Sequence, residues 1–202
     1  MLEVKNLAAR RGYATLFEEV GFRVDAGDAL LITGANGTGK TTLLRMIAGL
    51  SHPAAGQIFW NGKPVLPFAG ELRNNVLFTG HAPMIKDELT AAENLTLLLK
   101  LADIPVTQHA VLDALAKVAL HHRRDVSARH LSQGQRRRIG LARLLLSHAL
   151  LWVLDEPVTA LDTAGIDLLT QMIESHRQQG GAIIASTHQS LILKIAREFA
   201  FA

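Results

Sequence analysis

Residues 34–41 have the types and the spacing needed to bind a phosphate group. They follow the pattern Gly-x-x-x-x-Gly-Lys-Thr, after an apolar run at 29–33 and before a helical pattern at 41–50. Glycines let backbone N–H groups turn towards a phosphate, and a helix N-terminus adds partial positive charge. The alternative, a glycine turn before a helix that happens to contain a lysine, fits this strand–loop–helix context poorly. The predicted nucleotide-binding residues are Gly34, Ala35, Asn36, Gly37, Thr38, Gly39, Lys40, Thr41 and Thr42.

Two carboxylates follow a second apolar run, which predicts a buried strand at 150–154. Ligands bind at the carboxyl ends of the strands in an open α/β sheet. We therefore predict that Asp155 binds Mg²⁺ together with Thr41, and that Lys40 contacts the β- and γ-phosphates. Glu156 is then placed to orient or deprotonate an attacking water. The alternative is a strand that ends in a solvated acidic turn.

A third motif, at residues 131–135, precedes the strand that ends in Asp155 and Glu156. Three arginines at 136–138 follow it directly. Ser132 is predicted to cap a helix whose first N–H groups can bind a phosphate. For the arginine run the alternatives are a solvated helical face and a nucleic-acid surface. Since no aromatic residue interleaves it, we expect no nucleic acid. The motif resembles the signature of ABC-type ATPases, and its residues are Leu131, Ser132, Gln133, Gly134 and Gln135.

The resemblance to ABC-type ATPases extends over nearly the whole chain. The segment Ala160-Leu161-Asp162 resembles the D-loop of that family, which implies a role for Asp162. The segment 186–188 resembles the switch motif, which implies that His188 contacts the γ-phosphate and acts in catalysis with Glu156. Residues 89–94 resemble the segment on the lobe that faces a transmembrane subunit. The family also implies ATP and Mg²⁺ as cofactors.

Two positions depart from the family pattern. The position that usually holds the Q-loop glutamine is His81, in the segment Gly80-His81-Ala82-Pro83. The aromatic residue that usually stacks on adenine aligns near Arg11, and Tyr13 lies two residues later. Tyr13 is therefore the candidate for adenine stacking, with an arginine guanidinium as the alternative.

Several short segments resemble the ATP-binding subunits of cytochrome c maturation systems, which handle or export haem. They are Gly80–Pro83, the residues after the signature, 141–144, and Gly180-Gly181 leading to 186–189. The resemblance implies a peripheral protein at the cytoplasmic face of the inner membrane, paired with an integral membrane permease. We do not expect haem to bind this chain directly, since His121-His122 fits a solvated loop and no Cys-x-x-Cys-His motif is present.

The family works as head-to-tail pairs, so the resemblance implies a homodimer with ATP sandwiched between two copies. One copy supplies the phosphate loop and the other the signature. Two alternatives are weighed. One is a soluble ABC ATPase without a transporter, acting in DNA repair, translation or cluster assembly. Repair ATPases of this type carry a long coiled coil between phosphate loop and signature, for which the 92 positions from Lys40 to Ser132 leave no room, and translation factors of the family carry two ATPase domains where this chain has one. A nucleotide-binding module without turnover would not need Glu156.

Strands and helices alternate at both ends of the chain, with a block of helices between them, which predicts one α/β domain. The family resemblance implies that its core is a P-loop NTPase core of ABC type. Its core comprises 1–78 and 149–202, with an N-terminal antiparallel β part, and an inserted helical lobe comprises 79–148. The 202 residues are 49% hydrophobic and 19% charged, with a net charge of +3, which suits one packed domain. The absence of cysteine excludes disulfides and thiol chemistry, and the N-terminus is not that of a signal peptide.

The spacing of apolar residues along the chain predicts the helices and strands. Helices are expected at 41–50, 91–102, 108–120, 134–147 and 162–178. Strands are expected at 2–7, 16–24, 29–33, 58–60, 76–78, 150–154 and 182–187.

Overall fold

The computed structural model describes residues 1–187 and 197–200, which form two compact units. The first unit comprises Met1–Gly80, Ala149–Pro157 and Ile173–Ala202, and the second comprises His81–His148 and Val158–Met172. The sequence analysis assigned 158–172 to the core. In the structure this segment groups with the second unit. Within that unit the Arg138 guanidinium binds the Asp162 carboxylate at 2.6 Å.

An antiparallel sheet forms the N-terminal part of the first unit, as predicted. The strand order is β2-β1-β4-β5. The strands are β1 (Leu2–Arg11), β2 (Ala14–Val24), β4 (Ala55–Trp60) and β5 (Lys63–Val65). Asn61 and Gly62 join β4 to β5 in the tight hairpin that the sequence indicates. The first two strands are longer than predicted, because β1 and β2 pair along almost their full lengths.

A parallel sheet with the order β6-β7-β8-β3-β9 forms the rest of the first unit. The strands are β3 (Ala29–Thr33), β6 (Val76–Thr79), β7 (Leu151–Asp155), β8 (Ala182–Ser186) and β9 (Arg197–Ala200). All five residues of β7 and of β8 are buried, in keeping with their continuous apolar runs. The sequence analysis missed β9, which pairs with the edge of β3.

Three of the helices are compared below by how the N–H groups of their first turns are capped. They are α1 (Lys40–Ile47), α3 (Ala91–Leu101) and α5 (Gln133–Leu145). The other helices are α2 (Gly70–Asn75), α4 (Gln108–Lys117) and α6 (Thr163–Gln178). Among the α-helices in the described part of the chain, α2 is the one that the sequence analysis missed, and Leu72 is its buried residue. Within the described ranges, every helix is too short or too polar to span a bilayer.

Each unit has its own buried apolar cluster. In the first unit, side chains of both sheets meet Leu43, Leu44 and Ile47 of α1. This packing fixes the axis of α1, so its N-terminus stays directly behind the loop that ends β3. In the second unit, the leucines at 95, 99 and 115 and Ile139 are fully buried on the facing helices α3, α4 and α5.

Candidate functional site

The loop that joins β3 to α1 leaves the first N–H groups of α1 open. Gly39, which directly precedes the helix, has φ 106°, and no side chain caps α1. This left-handed φ favours glycine, and a Cβ at Gly39 would lie 3.0 Å from the Phe17 ring, which would then have to shift. Since the first four N–H groups of a helix have no intrahelical partner, this loop is suited to binding an anion.

The Lys40 ammonium closes this loop from inside. Its Nζ donates hydrogen bonds of 2.7 Å to the backbone oxygens of both Gly34 and Ala35. Only 7% of the residue is exposed. The lysine therefore lies inside the loop, where its charge can bind phosphate oxygens.

Three side chains at the carboxyl edge of the parallel sheet form one chain of hydrogen bonds: the predicted Thr41 and Asp155, and Ser186. Thr41 Oγ1 donates to one carboxylate oxygen of Asp155 at 2.8 Å, and Ser186 Oγ donates to the other at 2.8 Å. Asp155 is 2% exposed and Ser186 is fully buried. A hydroxyl and a carboxylate are hard oxygen donors of the kind that Mg²⁺ prefers, so Thr41 and Asp155 fit the predicted metal role.

The described residues contain no group of three or more histidines, cysteines or carboxylates that would hold a metal unaided. This is compatible with the usual way proteins bind Mg²⁺, through one or two side chains together with phosphate oxygens and water. Thr41 and Asp155 would supply the protein part of such a site.

Glu156 follows the end of β7 in an unusual backbone conformation. Its φ is 49°, and its N–H donates to the backbone oxygen of Ser186 at 3.2 Å. Left-handed backbone at a residue other than glycine is uncommon and costs energy, so the surrounding contacts must hold it. The β8 end thereby fixes the backbone of the residue predicted to be the general base.

Ser186 is the one member of this network to which the sequence analysis gave no role. The parallel register pairs Asp155 directly with Ser186. In sequence they are 31 residues apart, so the motif spacing alone does not signal their contact. The sequence did hold one signal: Asp155 and Ser186 each stand at the end of a buried apolar run. If the two strands are parallel neighbours, both residues lie at the carboxyl edge of the sheet.

In the second unit, the signature residues form a complete capping box at the start of α5. Ser132 Oγ accepts from the N–H of Gln135 at 3.2 Å, and Gln135 Oε1 accepts from the N–H of Ser132 at 3.0 Å. Ser132 and Gln133 are exposed, whereas Leu131 is only 6% exposed and anchors the turn. The predicted cap is present, and the exposed side of the helix start is available to a ligand.

The predicted D-loop packs against this helix start. A Cβ at Gly134 would lie 2.9 Å from the backbone oxygen of Ala160, so only glycine allows the two segments to come this close. Asp162 Oδ1 accepts from the N–H of Gly165 at 2.9 Å and thereby caps the first turn of α6. The hydrogen bond from Arg138 lowers the pKa of Asp162, so the carboxylate stays ionised and paired.

The remaining predicted residues have different surroundings. The ring of Tyr13 is fully exposed between β1 and β2, open to a stacking partner. His81 is exposed, and its backbone oxygen accepts a 2.8 Å hydrogen bond from Arg137. His188 lies outside the described residues. The roles of all three stay predictions.

Comparison with known proteins gives consistent similarities. A family model described as "ABC transporter" matches residues 17–159. The cytochrome c biogenesis ATP-binding export protein CcmA of Vibrio cholerae is 48% identical over 95% of this chain and 92% of its own length. The protein of the same name from Escherichia coli K12 is 46% identical over 95% and 90%. A solved ABC transporter ATP-binding protein of Pyrococcus furiosus superimposes with a TM-score of 0.84 at 26% identity, covering 99% of this chain and 96% of that one.

Proposed function

Because the chain belongs to the ABC transporter ATP-binding family and is an ABC-type ATPase, we propose that it energises a cytochrome c biogenesis export complex. In this proposal a separate membrane subunit handles or exports haem, and the present chain hydrolyses ATP for it. The alignments with the proteins named CcmA from Vibrio cholerae and Escherichia coli K12 each cover nine-tenths or more of this chain and of the relative. Similarity of that extent supports a shared role for the whole chain.

The observation that carries the ATPase chemistry is the Thr41–Asp155–Ser186 chain of hydrogen bonds beside an uncapped helix start. The open N–H groups of α1 and the Lys40 ammonium bind the phosphates of ATP. Thr41 and Asp155 hold Mg²⁺, which when bound neutralises phosphate charge. Ser186 keeps Asp155 in one orientation, since it occupies the oxygen that does not face Thr41.

Glu156 takes the role of the general base in this proposal. A carboxylate at the end of a buried strand accepts a proton from water that attacks the γ-phosphate. His188 stabilises the same phosphate, and His81 takes the place of the family glutamine by offering an imidazole nitrogen. Tyr13 stacks on the adenine ring.

We propose that two copies bind ATP together. The exposed N-terminus of α5, with Ser132 and Gly134, binds the γ-phosphate held by the phosphate loop of the other copy. ATP then holds the dimer closed, and hydrolysis releases it. The D-loop residue Asp162 lies on the same unit as the signature and belongs to this interface.

The proposed location is the cytoplasmic face of the inner membrane, where the chain binds an integral permease subunit peripherally. Haem is handled by the membrane subunits and is not bound here. The rival, a soluble ABC ATPase without a transporter, predicts that no membrane protein accompanies the chain.

A Glu156 variant tests the hydrolysis step of the proposal. Glu156→Gln keeps the side-chain shape but removes the base, so phosphate release should stop while ATP with Mg²⁺ leaves a persistent dimer in size-exclusion chromatography. Wild-type turnover in this variant would place the base elsewhere.

The biological role is tested by purifying the tagged chain from detergent-solubilised membranes and identifying its partner by mass. A deletion strain should lose haem-stained c-type cytochromes and retain b-type haem proteins. Normal c-type bands would contradict the cytochrome c role and leave the ATPase assignment intact.

A further inference from the structure

Three consecutive arginines of α5 each bind a different residue of the second unit, two of them in the loop that follows β6 and one in the D-loop. Arg136 pairs with the Asp87 carboxylate at 2.8 Å, and Arg138 pairs with the Asp162 carboxylate at 2.6 Å. Between them, Arg137 donates from Nη1 to the backbone oxygen of His81 at 2.8 Å. Successive side chains on a helix point about 100° apart, so the three groups reach in three directions. The solvated helical face considered in the sequence analysis does not describe this run.

Arg137 is the most deeply placed of the three. It is 3% exposed, although arginine is almost never buried unless its donors are engaged. A guanidinium that has been taken out of water binds a carbonyl oxygen more strongly than the same pair in solvent. Arg137 lies four residues after Gln133, the first residue of α5. Its hydrogen bond therefore ties the His81 backbone to the first turns of that helix.

The segment that begins at His81 is fixed at its other end as well. Asn94 is 1% exposed, and its carboxamide binds both the N–H and the backbone oxygen of Lys86 at 2.8 Å and 3.0 Å. His81 and Lys86 are thus two fixed points on one short loop. The His81 side chain itself stays exposed, free to meet a ligand or water.

We infer that Arg137 is a positioning residue: it holds the backbone of His81, so that the exposed imidazole projects from a fixed place next to the signature helix. The inference rests on the proposed function, in which His81 takes part in hydrolysis. Arginine suits this task better than lysine, since its planar group offers several donors at once.

A double-mutant cycle with steady-state ATPase kinetics tests the inference. We expect Arg137→Met to lower kcat by about 10-fold or more while KM for ATP changes by less than about threefold, because positioning affects the reacting geometry more than nucleotide binding. Arg137→Lys should recover part of kcat. In a His81→Ala background, Arg137→Met should cause no further loss beyond about twofold, because the arginine acts through the histidine.

The matched control is Arg129→Met. Arg129 is an exposed arginine of the same unit whose own N–H bonds the backbone oxygen of Asp87. This variant loses the same charge and volume and should keep kcat within about twofold. Thermal unfolding is measured on every variant, and Arg137→Gln replaces Arg137→Met in the cycle if the methionine variant does not unfold cooperatively.

The outcomes separate the inference from the proposed function. A folded Arg137 variant with wild-type kcat overturns the inference, as do losses that multiply in the double variant, or full activity in His81→Ala. All three leave the ATPase assignment intact if Lys40→Ala is inactive. Absence of any hydrolysis by the wild-type protein would instead count against the proposed function.

Discussion

Helices α1 and α5 both begin at residues predicted to bind phosphate, but their first turns are completed in opposite ways. No side chain caps α1, whose preceding residue is Gly39, whereas Ser132 and Gln135 form a full capping box on α5. The start of α1 therefore has open donors and depends on Lys40 to hold its loop. The start of α5 is finished without a ligand, so it is preformed.

Helix α3 begins with the same capping box as α5 but with a charged residue in it. Thr90 and Glu93 form the same capping box, with a carboxylate where α5 has the neutral Gln135. A carboxylate near a helix N-terminus stabilises the helix but repels an anion. The absence of acidic residues from the first turn of α5 is therefore expected of a helix that has to receive a phosphate.

The largest effect is expected at the uncapped helix. Lys40→Ala removes the ammonium that binds the oxygens of Gly34 and Ala35. Hydrolysis should fall about 100-fold or more and nucleotide binding should weaken, since a charged phosphate contact is lost. Phosphate release and fluorescent-nucleotide titration measure the two effects. Arg45→Ala, an exposed basic residue on the same helix, is the control, and equal activity of the two variants would remove the phosphate-loop assignment.

A smaller effect should follow from making α5 resemble α3. Gln135→Glu keeps the capping box and adds one negative charge, so thermal stability should hold while hydrolysis falls about 10-fold through repulsion of the phosphate. The reciprocal Glu93→Gln should leave hydrolysis unchanged. If Gln135→Glu hydrolyses ATP normally, no phosphate approaches this helix start.

The two caps should cost similar stability but differ in function. Ser132→Ala and Thr90→Ala each remove a side-chain acceptor and should each lower the free energy of unfolding by about 1 kcal/mol. Only Ser132→Ala should also reduce hydrolysis. Urea unfolding beside ATPase assays makes the comparison, and an equal loss of activity in both variants would attribute the effect to folding alone.

The smallest effect concerns pH. Hydrogen bonds from the backbone and side chain of Thr90 lower the pKa of Glu93 from its ordinary 4.5. A carboxyl group whose pKa is depressed on folding adds stability above the unfolded value, and this stability is lost as pH falls through the folded value. The stability difference between wild type and Glu93→Gln should thus shrink below pH 4.5. A difference that does not change with pH would mean that the charge does not contribute to the cap.

The sequence predicted most of the fold because its signals are local. The apolar run of β3 is placed to the residue, and the helices around 91–101 and 133–145 differ from prediction only at their ends. Helix α2 and strand β9 were missed because neither Gly70–Asn75 nor Arg197–Ala200 has a strong periodicity of its own. Their conformations depend on neighbours, with β9 added along β3.

The phosphate loop, the Asp-Glu pair and the Ser132 cap were predicted from the sequence alone, because each is a pattern of a few adjacent residues. Tertiary structure decided what these residues meet. Ser186 reaches Asp155 because β7 and β8 pair in one register. The arginines at 136–138 bind three different residues because successive side chains of a helix point in different directions. Such contacts depend on packing between elements distant in the chain, and residue spacing does not encode them.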